Sequence, residues 1–284
     1  MAKLLVFGAG YTGLAIARLA AAHGMAVTVT SRGAVASAGA GIEIVGFESA
    51  GPVVAAADFI VATAAPAGEG DPVLARWGFE IAGGPARWLG YLSTTGVYGD
   101  RGGGWVDEDT APAPGQPRSV RRVEAEQAWV AAAGGRALDL IRLAGIYGPG
   151  RSALDDMRAG QARRVIKPGH AFGRIHRDDI AAGVLAAIGR PGAGTRVLNF
   201  SDDEPAESEK VTAYAAALLG LPEPPGMPFE QARLGMSEMG RSFWAENRKV
   251  SCAKTKAALG IAWRYPSYRE GLAAILAEER GHGP

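Results

Sequence analysis

A glycine-rich stretch near the start of the chain constrains the fold more than any other feature of the sequence. Gly8, Gly10 and Gly13 have the spacing Gly-x-Gly-x-x-Gly. The apolar run 3–7 before them predicts a short buried strand, and the run 14–22 after them predicts a helix because it consists largely of strong helix formers. A strand, a glycine turn and a helix in this order are typical of a dinucleotide-binding fingerprint.

Each position of this stretch has a distinct task in holding a dinucleotide. Gly8 permits the tight turn, Gly10 lets the backbone approach a pyrophosphate, and Gly13 lets helix and strand pack closely. The helix N-terminus at Tyr11 and Thr12 offers unpaired N–H groups and a partial positive charge to the phosphates. We therefore predict all five as cofactor contacts. The alternative is an ordinary strand-to-helix turn in a chain that has 41 glycines.

The end of the second expected strand, 26–30, indicates which dinucleotide fits. An acidic residue there would accept hydrogen bonds from the ribose hydroxyls and favour NAD. Ser31 and Arg32 occupy these positions instead, and a hydroxyl with a guanidinium suits a ribose 2′-phosphate. We therefore expect NADP as cofactor rather than NAD. The alternative is an ordinary solvated arginine in a loop.

Short apolar runs alternate with helix-forming segments along the first half of the chain. Further strands are expected at 42–45, 58–62 and 87–92, and a helix at 71–83. This alternation predicts an α/β protein with a Rossmann-type, doubly wound parallel sheet covered on both faces. Thr63 and Ala64 follow the fourth strand at its carboxyl edge, where small residues leave space for adenine and ribose, so both are predicted cofactor contacts.

Composition narrows the class of protein. The chain has 284 residues, 48% of them hydrophobic, and a net charge of +1. This size allows one large domain, or one domain with a smaller lobe. Near-neutral charge argues against a general electrostatic attraction to nucleic acid or to an anionic membrane.

The sequence gives little sign of an oxidising compartment, a membrane or a metal. Cys252 is the single cysteine, so no intrachain disulfide is possible and a packed thiol is expected. No run of about 18 apolar residues predicts a membrane span, and the early first strand leaves no room for a signal peptide. No cluster has metal-ligand spacing. We expect a soluble, cytoplasmic monomer or homodimer that acts on a small molecule.

The stretch 92–99, Leu-Ser-Thr-Thr-Gly-Val-Tyr-Gly, resembles the extended and atypical short-chain dehydrogenase/reductases, the NAD(P)-dependent epimerase/dehydratase group. In that family a Ser or Thr four residues before the Tyr of Val-Tyr-Gly hydrogen-bonds the reacting oxygen of the substrate. The resemblance places Thr94 in this catalytic role and Thr95 beside the substrate. It implies that Tyr98 is a packing residue.

The resemblance extends along almost the whole chain, through the segments 105–114, 140–151, 174–180 and 197–201. It implies a Rossmann part of 1–148 plus about 176–201, and a smaller C-terminal substrate lobe of about 149–175 plus 202–284. The substrate would lie between them, near Tyr147, Arg151 and Arg174. Arginines there would suit the diphosphate of a sugar nucleotide. However, the chain is short for a nucleotide-sugar enzyme, so no sugar is assigned.

The chain departs from the family where the catalytic Tyr-x-x-x-Lys should begin a helix near residue 117. Arg118 stands at the tyrosine position and Arg122 at the lysine position. No tyrosine, lysine or histidine lies between Tyr98 and Tyr147. Arginine stays charged and has no acceptor, so Arg118 cannot serve as the proton shuttle. Arg122 can still hydrogen-bond the cofactor ribose, and we predict it as a cofactor contact.

This absence leaves three hypotheses. The first is an atypical oxidoreductase or epimerase/dehydratase-like enzyme whose acid/base group comes from elsewhere, with Tyr147, His170 and His176 as candidates. Each of these has a structural alternative; His176, for example, would be a hydrogen-bonded residue beside a helix N-cap at Asp178 or Asp179. The second is a non-catalytic NADP-binding redox sensor or scaffold. The third is an isomerase or lyase that retains the nucleotide as a structural ligand.

Overall fold

The computed structural model describes residues 1–33, 35, 37–68 and 70–281. Its strands, in chain order, are β1 Lys3–Phe7, β2 Ala26–Ser31, β3 Ile42–Gly46, β4 Phe59–Ala62, β5 Trp88–Thr94, β6 Trp105–Val106, β7 Ala137–Leu143, β8 Gly145–Tyr147, β9 Arg164–Ile166, β10 Ala171–Phe172, β11 Arg174–His176, β12 Thr195–Phe200, β13 Ala206–Glu207, β14 Gly226–Pro228 and β15 Lys249–Val250. Seven of them form one sheet in the order β12-β7-β5-β4-β1-β2-β3, with every neighbouring pair parallel.

The helices alternate with the strands of this sheet. They are α1 Tyr11–Ala22, α2 Gly51–Val54, α3 Pro72–Gly83, α4 Pro117–Ala133, α5 Ala153–Arg158, α6 Arg177–Gly189, α7 Ser208–Leu219, α8 Phe229–Ala232, α9 Glu238–Trp244, α10 Ala253–Leu259 and α11 Tyr268–Gly281. Short 3-10 helices cover Phe47–Ser49, Thr95–Tyr98 and Arg233–Gly235.

The sheet is buried on both faces, as a parallel sheet requires. Successive residues of β1 point to opposite sides: Leu4 packs with α1 and α6, whereas Leu5 packs with α2, α3 and α4. Trp77 of α3 and Trp129 of α4 fill the second side, where the Trp129 ring stacks on Tyr91 with 5.8 Å between centroids. The predicted Rossmann-type doubly wound fold is confirmed.

A second core lies beside the carboxyl edge of the sheet, where α5, α7 and α11 bury a separate apolar cluster around Leu154, Ala215 and Leu272. The exact boundary of this lobe stays a prediction. One segment expected in the lobe lies elsewhere, because Cys252 and Trp263 pack into the cluster of α1 and α6 on the sheet. The Cys252 thiol is buried there, and the Trp263 indole N–H contacts its sulfur at 3.3 Å.

A buried ion pair joins α4 to the two central strands. Glu126 of α4 accepts two hydrogen bonds from Arg142 of β7, at 3.0 and 2.8 Å, and one from Ser93 of β5 at 2.6 Å. The charged side chains are only 4% and 5% exposed. Beneath them the Tyr98 ring lies 4.7 Å from the Arg142 guanidinium, and its hydroxyl donates to Asn199 at 2.7 Å. These contacts fix the register of α4 against the end of β5.

We expect Glu126→Ala to lower the free energy of unfolding by about 3–5 kcal/mol, because it leaves the Arg142 charge buried without a partner. Glu124→Ala removes an exposed carboxylate from the same helix, so it should change stability by less than about 0.5 kcal/mol. Urea unfolding of both variants measures the difference. Equal stability of the two variants would contradict the structural role of the ion pair.

Candidate functional site

The three glycines of the fingerprint differ in what surrounds them. Gly8 has φ +117°, which side chains rarely adopt, and a Cβ there would collide with the Thr63 hydroxyl. A Cβ on Gly13 would collide with the Gly8 carbonyl oxygen, so helix and turn pack too closely for any side chain. A Cβ on Gly10 would meet nothing within 4 Å. The packing of the protein therefore requires glycine at positions 8 and 13. At position 10 it does not, because Gly10 faces open space.

The turn leads directly into the N-terminus of α1. Gly10 is the N-cap residue; it has no side chain to occupy the first N–H groups, and no acidic residue lies in the first turn. The Tyr11 hydroxyl donates to the Pro149 carbonyl at 3.0 Å, and the guanidiniums of Arg151 and Arg177 lie 5.8 and 5.0 Å from its ring. Tyr11 thus links the fingerprint to the turn that follows β8.

A cleft of about 330 Å³ opens in front of this helix N-terminus. We call it the glycine cleft; its lining residues are Gly10, Tyr11, Thr12, Gly13, Thr63, Leu92, Ser93, Thr94, Arg122, Leu143, Ala144, Ile146 and Arg151. Six of the predicted cofactor contacts therefore lie together. Parallel strands end at the same sheet edge, which is where open α/β sheets bind ligands.

The other predicted cofactor contacts lie outside this lining. Gly8 lies under the turn, and Ala64 packs at the rim of the core. The Ser31 hydroxyl donates to the Gly33 carbonyl at 2.7 Å. Arg32 is exposed and makes no hydrogen bond or ion pair with any residue that the structure describes. Its guanidinium is therefore available to a ligand at the end of β2.

A second cavity, of about 500 Å³, adjoins the glycine cleft. We call it the arginine cavity; it is lined by Ala65, Pro66, Thr94, Thr95, Gly96, Arg118, Ser119, Arg122, Leu143, Ala144, Gly145, Ile146, Tyr147, Ala171, Phe172, Gly173, Arg174, Phe243, Glu246, Arg248 and Val250. Thr94 and Arg122 line both spaces. A ligand in the cleft and a ligand in the cavity would meet at these two residues.

Thr94 ends β5 and caps the 3-10 helix that follows. Its Oγ1 accepts a hydrogen bond from the Gly96 N–H at 3.1 Å. A threonine hydroxyl can donate one hydrogen bond while it accepts others. No acceptor for the Thr94 proton lies among the described residues, so the hydroxyl can donate into the cavity.

Three arginines define the charge of the arginine cavity near α4. Arg122 donates through Nη1 to the Leu92 carbonyl at 2.6 Å and to the Tyr91 hydroxyl at 3.2 Å. One turn earlier, the Arg118 guanidinium lies 4.1 Å from the Phe243 ring centroid.

Arg248 pairs with Glu246 at 2.8 Å and donates to the Gly99 carbonyl at 2.9 Å. Burial, together with the neighbouring Arg118 charge, lowers the pKa of the Arg248 guanidinium.

Three of the predicted substrate contacts, Tyr147, Arg151 and Arg174, together line a third cavity of about 480 Å³. Thr95, Tyr147 and Arg174 line the arginine cavity, whereas Arg151 lines the glycine cleft. The Arg174 Nη1 donates to the carbonyls of Phe172 and Ala206, at 2.9 and 3.1 Å.

Tyr147 donates to the Ser267 carbonyl at 3.3 Å, and burial raises the pKa of its hydroxyl well above the usual range. Its environment therefore opposes formation of a tyrosinate.

The two histidines proposed as acid/base groups lie outside the cavity lining. His170 stacks on Trp244 with 5.3 Å between ring centroids, and burial lowers the pKa of His170 and of His176 to about 4. Both are therefore neutral near pH 7.

The expectation that Asp178 or Asp179 caps the following helix was wrong. The N-cap is His176, whose Nδ1 accepts from the Asp178 N–H at 3.2 Å. Asp179 is drawn inward, because its carboxylate accepts hydrogen bonds from the N–H groups of Arg264 at 2.8 Å and Tyr265 at 3.0 Å.

Several cavity residues were not identified from the sequence. Among them, Glu246 and Arg248 come from the segment after α9, more than a hundred residues beyond Thr94. No local pattern connects them to the cavity. The sequence could have predicted Arg118 as a cavity residue, because it lies four residues before Arg122 and therefore on the same face of α4.

The sheet order, the glycine turn and the cleft at the carboxyl edge define an NAD(P)-type Rossmann protein. No family model matches the chain. A conserved protein of unknown function from Silicibacter pomeroyi is 42% identical and has a TM-score of 0.90, with 98% of this chain and 99% of that one covered. A candidate NAD-dependent epimerase/dehydratase from Methylobacillus flagellatus is 26% identical over the same shares, with a TM-score of 0.75.

A similar protein of known chemistry is the 3-diazoavenalumate denitrifying reductase of Streptomyces, 30% identical over 186 residues. The match covers 59% of this chain and 58% of the reductase. The chain thus spans less than two thirds of that protein.

Two structures at 20% identity share the fold: MoeE5 with UDP-glucuronic acid and NAD, at a TM-score of 0.79, and human SDR39U1 with NADPH, at 0.72. The chain is similar to epimerase/dehydratase-like proteins and shares with them a Rossmann-type fold. Within the described part of the chain, no helix has the length and apolar character needed to cross a bilayer.

A buried carboxylic acid behind the cavity gives the site a testable pH dependence. Asp202 accepts from the Arg174 N–H at 3.1 Å, and burial raises the pKa of its carboxyl to about 8. The native state therefore holds a proton that the unfolded chain has already lost above pH 4. Since the native state binds more protons, stability should fall as the pH rises from about 4 to 8.

We expect the wild type to lose about 1 kcal/mol of unfolding free energy per pH unit between pH 6.5 and 8 from this group. Asp202→Asn should flatten that slope, because the amide cannot titrate. Asp203→Asn is the matched control on the neighbouring exposed carboxylate, and it should keep most of the slope, because burial is the main cause of the raised Asp202 pKa. Urea unfolding at several pH values measures all three. An unchanged slope in Asp202→Asn would show that Asp202 is already ionised in the native protein.

Proposed function

We propose that the protein is an NADP-dependent oxidoreductase or epimerase/dehydratase-like enzyme acting on a small molecule. The nicotinamide dinucleotide would occupy the glycine cleft and the substrate the arginine cavity. One observation carries the proposal: Thr94 and Arg122 line both spaces. A cofactor and a substrate placed this way would have their reacting ends in contact, as hydride transfer requires.

The surroundings of the fingerprint support a dinucleotide in the cleft. Gly10 is the one fingerprint glycine that the protein's own packing does not require, and close approach of a pyrophosphate gives it a reason. The uncapped first turn of α1 is ready to bind phosphate. The names of the Methylobacillus flagellatus and human relatives, which include NAD and NADPH, support a nicotinamide cofactor.

The preference for NADP rests on the end of β2. Arg32 is exposed there, without a hydrogen-bond or ion-pair partner in the described part of the chain. Neither position 31 nor position 32 holds an acidic residue that could accept hydrogen bonds from the ribose hydroxyls. A guanidinium recognises a phosphate through paired hydrogen bonds. The 2′-phosphate of NADP would supply that group.

The bound nicotinamide would supply or accept a hydride, and the chain's own residues would hold the substrate beside it. The Thr94 Oγ1 accepts a hydrogen bond from the Gly96 N–H, which leaves its own proton available. Thr94 can therefore donate a hydrogen bond to the reacting oxygen. Arg122 is held in place by the Leu92 carbonyl and can orient the ribose. Neither residue can release a proton near neutral pH.

A second candidate function is a non-catalytic NADP-binding redox sensor or scaffold. Arg118 and Arg122 favour this candidate, because they stand at the two positions that the family resemblance assigns to the proton relay and cannot serve as its acid/base group. The glycine cleft for the nucleotide is nevertheless present. Preference for one redox state of the nucleotide without turnover would support this candidate.

Calorimetric titration with NADP, NADPH, NAD and NADH tests the cofactor assignment. We expect tighter binding of the phosphorylated forms. Arg32→Ala should weaken NADPH binding by about tenfold or more while leaving NADH within about twofold, since only the 2′-phosphate is affected. Arg76→Ala, an exposed arginine on α3 outside both spaces, is the control. Equal losses for NADPH and NADH would rule out the 2′-phosphate contact.

Gly10→Val tests the cleft itself. Its backbone is extended at φ −88° and its Cβ would point into open space, so the variant should stay within about 1 kcal/mol of wild-type stability. It should nevertheless lose nucleotide binding, because the side chain would occupy the place of the pyrophosphate. Thermal melting and calorimetry on the same sample separate the two effects. Retained binding would refute the fingerprint.

A further inference from the structure

The arginine cavity holds an unusual concentration of positive charge. Four arginines line it, and the single acidic side chain among its lining residues is Glu246. Glu246 is already paired with Arg248, and its other carboxylate oxygen lies beside Gly115, which is outside the lining. The cavity therefore has more positive than negative charge.

The arginines differ in how far the protein already uses them. Backbone carbonyls accept the hydrogen bonds of Arg122 and Arg174. Arg118 makes no hydrogen bond or ion pair with any described residue, and its one close partner is the Phe243 ring at 4.1 Å. Cation–π contact holds a guanidinium in place and leaves its edge donors free. Arg118 is thus positioned to bind a ligand.

Arg118 and Arg248 line the same cavity. Burial lowers the pKa of Arg248; its ion pair with Glu246 opposes this shift, and the Arg118 charge adds to it. The two guanidiniums therefore interact unfavourably across the cavity. An oxyanion bound by both would remove this repulsion and would accept their free donors.

We propose that Arg118 and Arg248 form a subsite for an oxyanion carried by the substrate, a carboxylate or a phosphate. The inference rests on the proposed function in placing the substrate in this cavity. The subsite is separate from the nucleotide phosphates, because neither arginine lines the glycine cleft. Phe172 and Phe243 add apolar surface beside it. The substrate is therefore a small anion with an apolar part, and Arg118 determines specificity.

The subsite accounts for the sequence of α4. Arg118 and Arg122 stand at the positions to which the family resemblance assigns the tyrosine and lysine of the proton relay. They lie one turn apart on the face that borders the cavity. In this chain the N-terminal end of α4 would bind a negatively charged group and would not transfer a proton. Arg-x-x-x-Arg in place of the family pattern Tyr-x-x-x-Lys would thus replace proton transfer by anion binding at the same location.

Calorimetry with simple probes tests the subsite. Benzoate, phenyl phosphate and neutral benzyl alcohol are titrated into the full chain at low ionic strength, with and without saturating NADPH. We expect saturable binding of at least one anion and none of benzyl alcohol. Arg118→Gln should weaken the anion by about tenfold or more, the loss of a charge-assisted hydrogen bond. Arg121→Gln removes the same charge from α4 outside the cavity lining and should stay within about twofold.

Arg118→Gln should fold normally, since no hydrogen bond is lost; its melting temperature checks this. Binding of benzoate alone, or of phenyl phosphate alone, supports the subsite and identifies the group. Absence of binding by both anions, equal effects of the two variants, or displacement of the anion by NADPH would overturn it. Cofactor binding without anion binding overturns this inference alone, whereas anion binding without cofactor binding overturns the proposed function alone.

Discussion

The hydrogen bonds that Glu126 accepts from Ser93 and Arg142 fix the geometry on which the site depends. They connect α4, β5 and β7 at a point that water does not reach. Thr94 follows Ser93 directly, and Arg122 lies one turn before Glu126, so a single buried carboxylate sets the position of both residues that join the cleft to the cavity. A charged anchor is costly to bury and geometrically demanding. It therefore permits few alternative placements of α4.

Because the position of α4 is fixed by these contacts, the side chains at its N-terminal end can differ in chemistry without altering the fold. Side chains one turn apart on α4 face the cavity whatever their identity. Tyrosine and lysine there would give a proton relay; arginines give a permanently charged wall. The Rossmann sheet needs neither pair, since its core is formed by apolar residues such as Leu5, Val61 and Trp129.

Local rules explain which features could be predicted from the sequence. The strands, the glycine turn and helix α1 follow from apolar periodicity and backbone sterics within about twenty residues. The N-cap of α6 was assigned to the wrong residue because the deciding contacts come from Arg264 and Tyr265, far along the chain. Glu246 and Arg248 reach the cavity by the same long-range folding, so composition and spacing near Thr94 do not reveal them.

The net charge of the chain does not reveal the local charge of the arginine cavity. A net charge of +1 over 284 residues excludes a strong overall field, yet four arginines meet in one cavity beside Thr94. A low-dielectric wall strengthens such a local field. A site that cannot donate a proton can still stabilise negative charge that develops on a substrate oxygen, because fixed guanidiniums and an oriented hydroxyl require no reorganisation during the reaction. In the proposed function, charge stabilisation is therefore the contribution that these residues would make to the reaction.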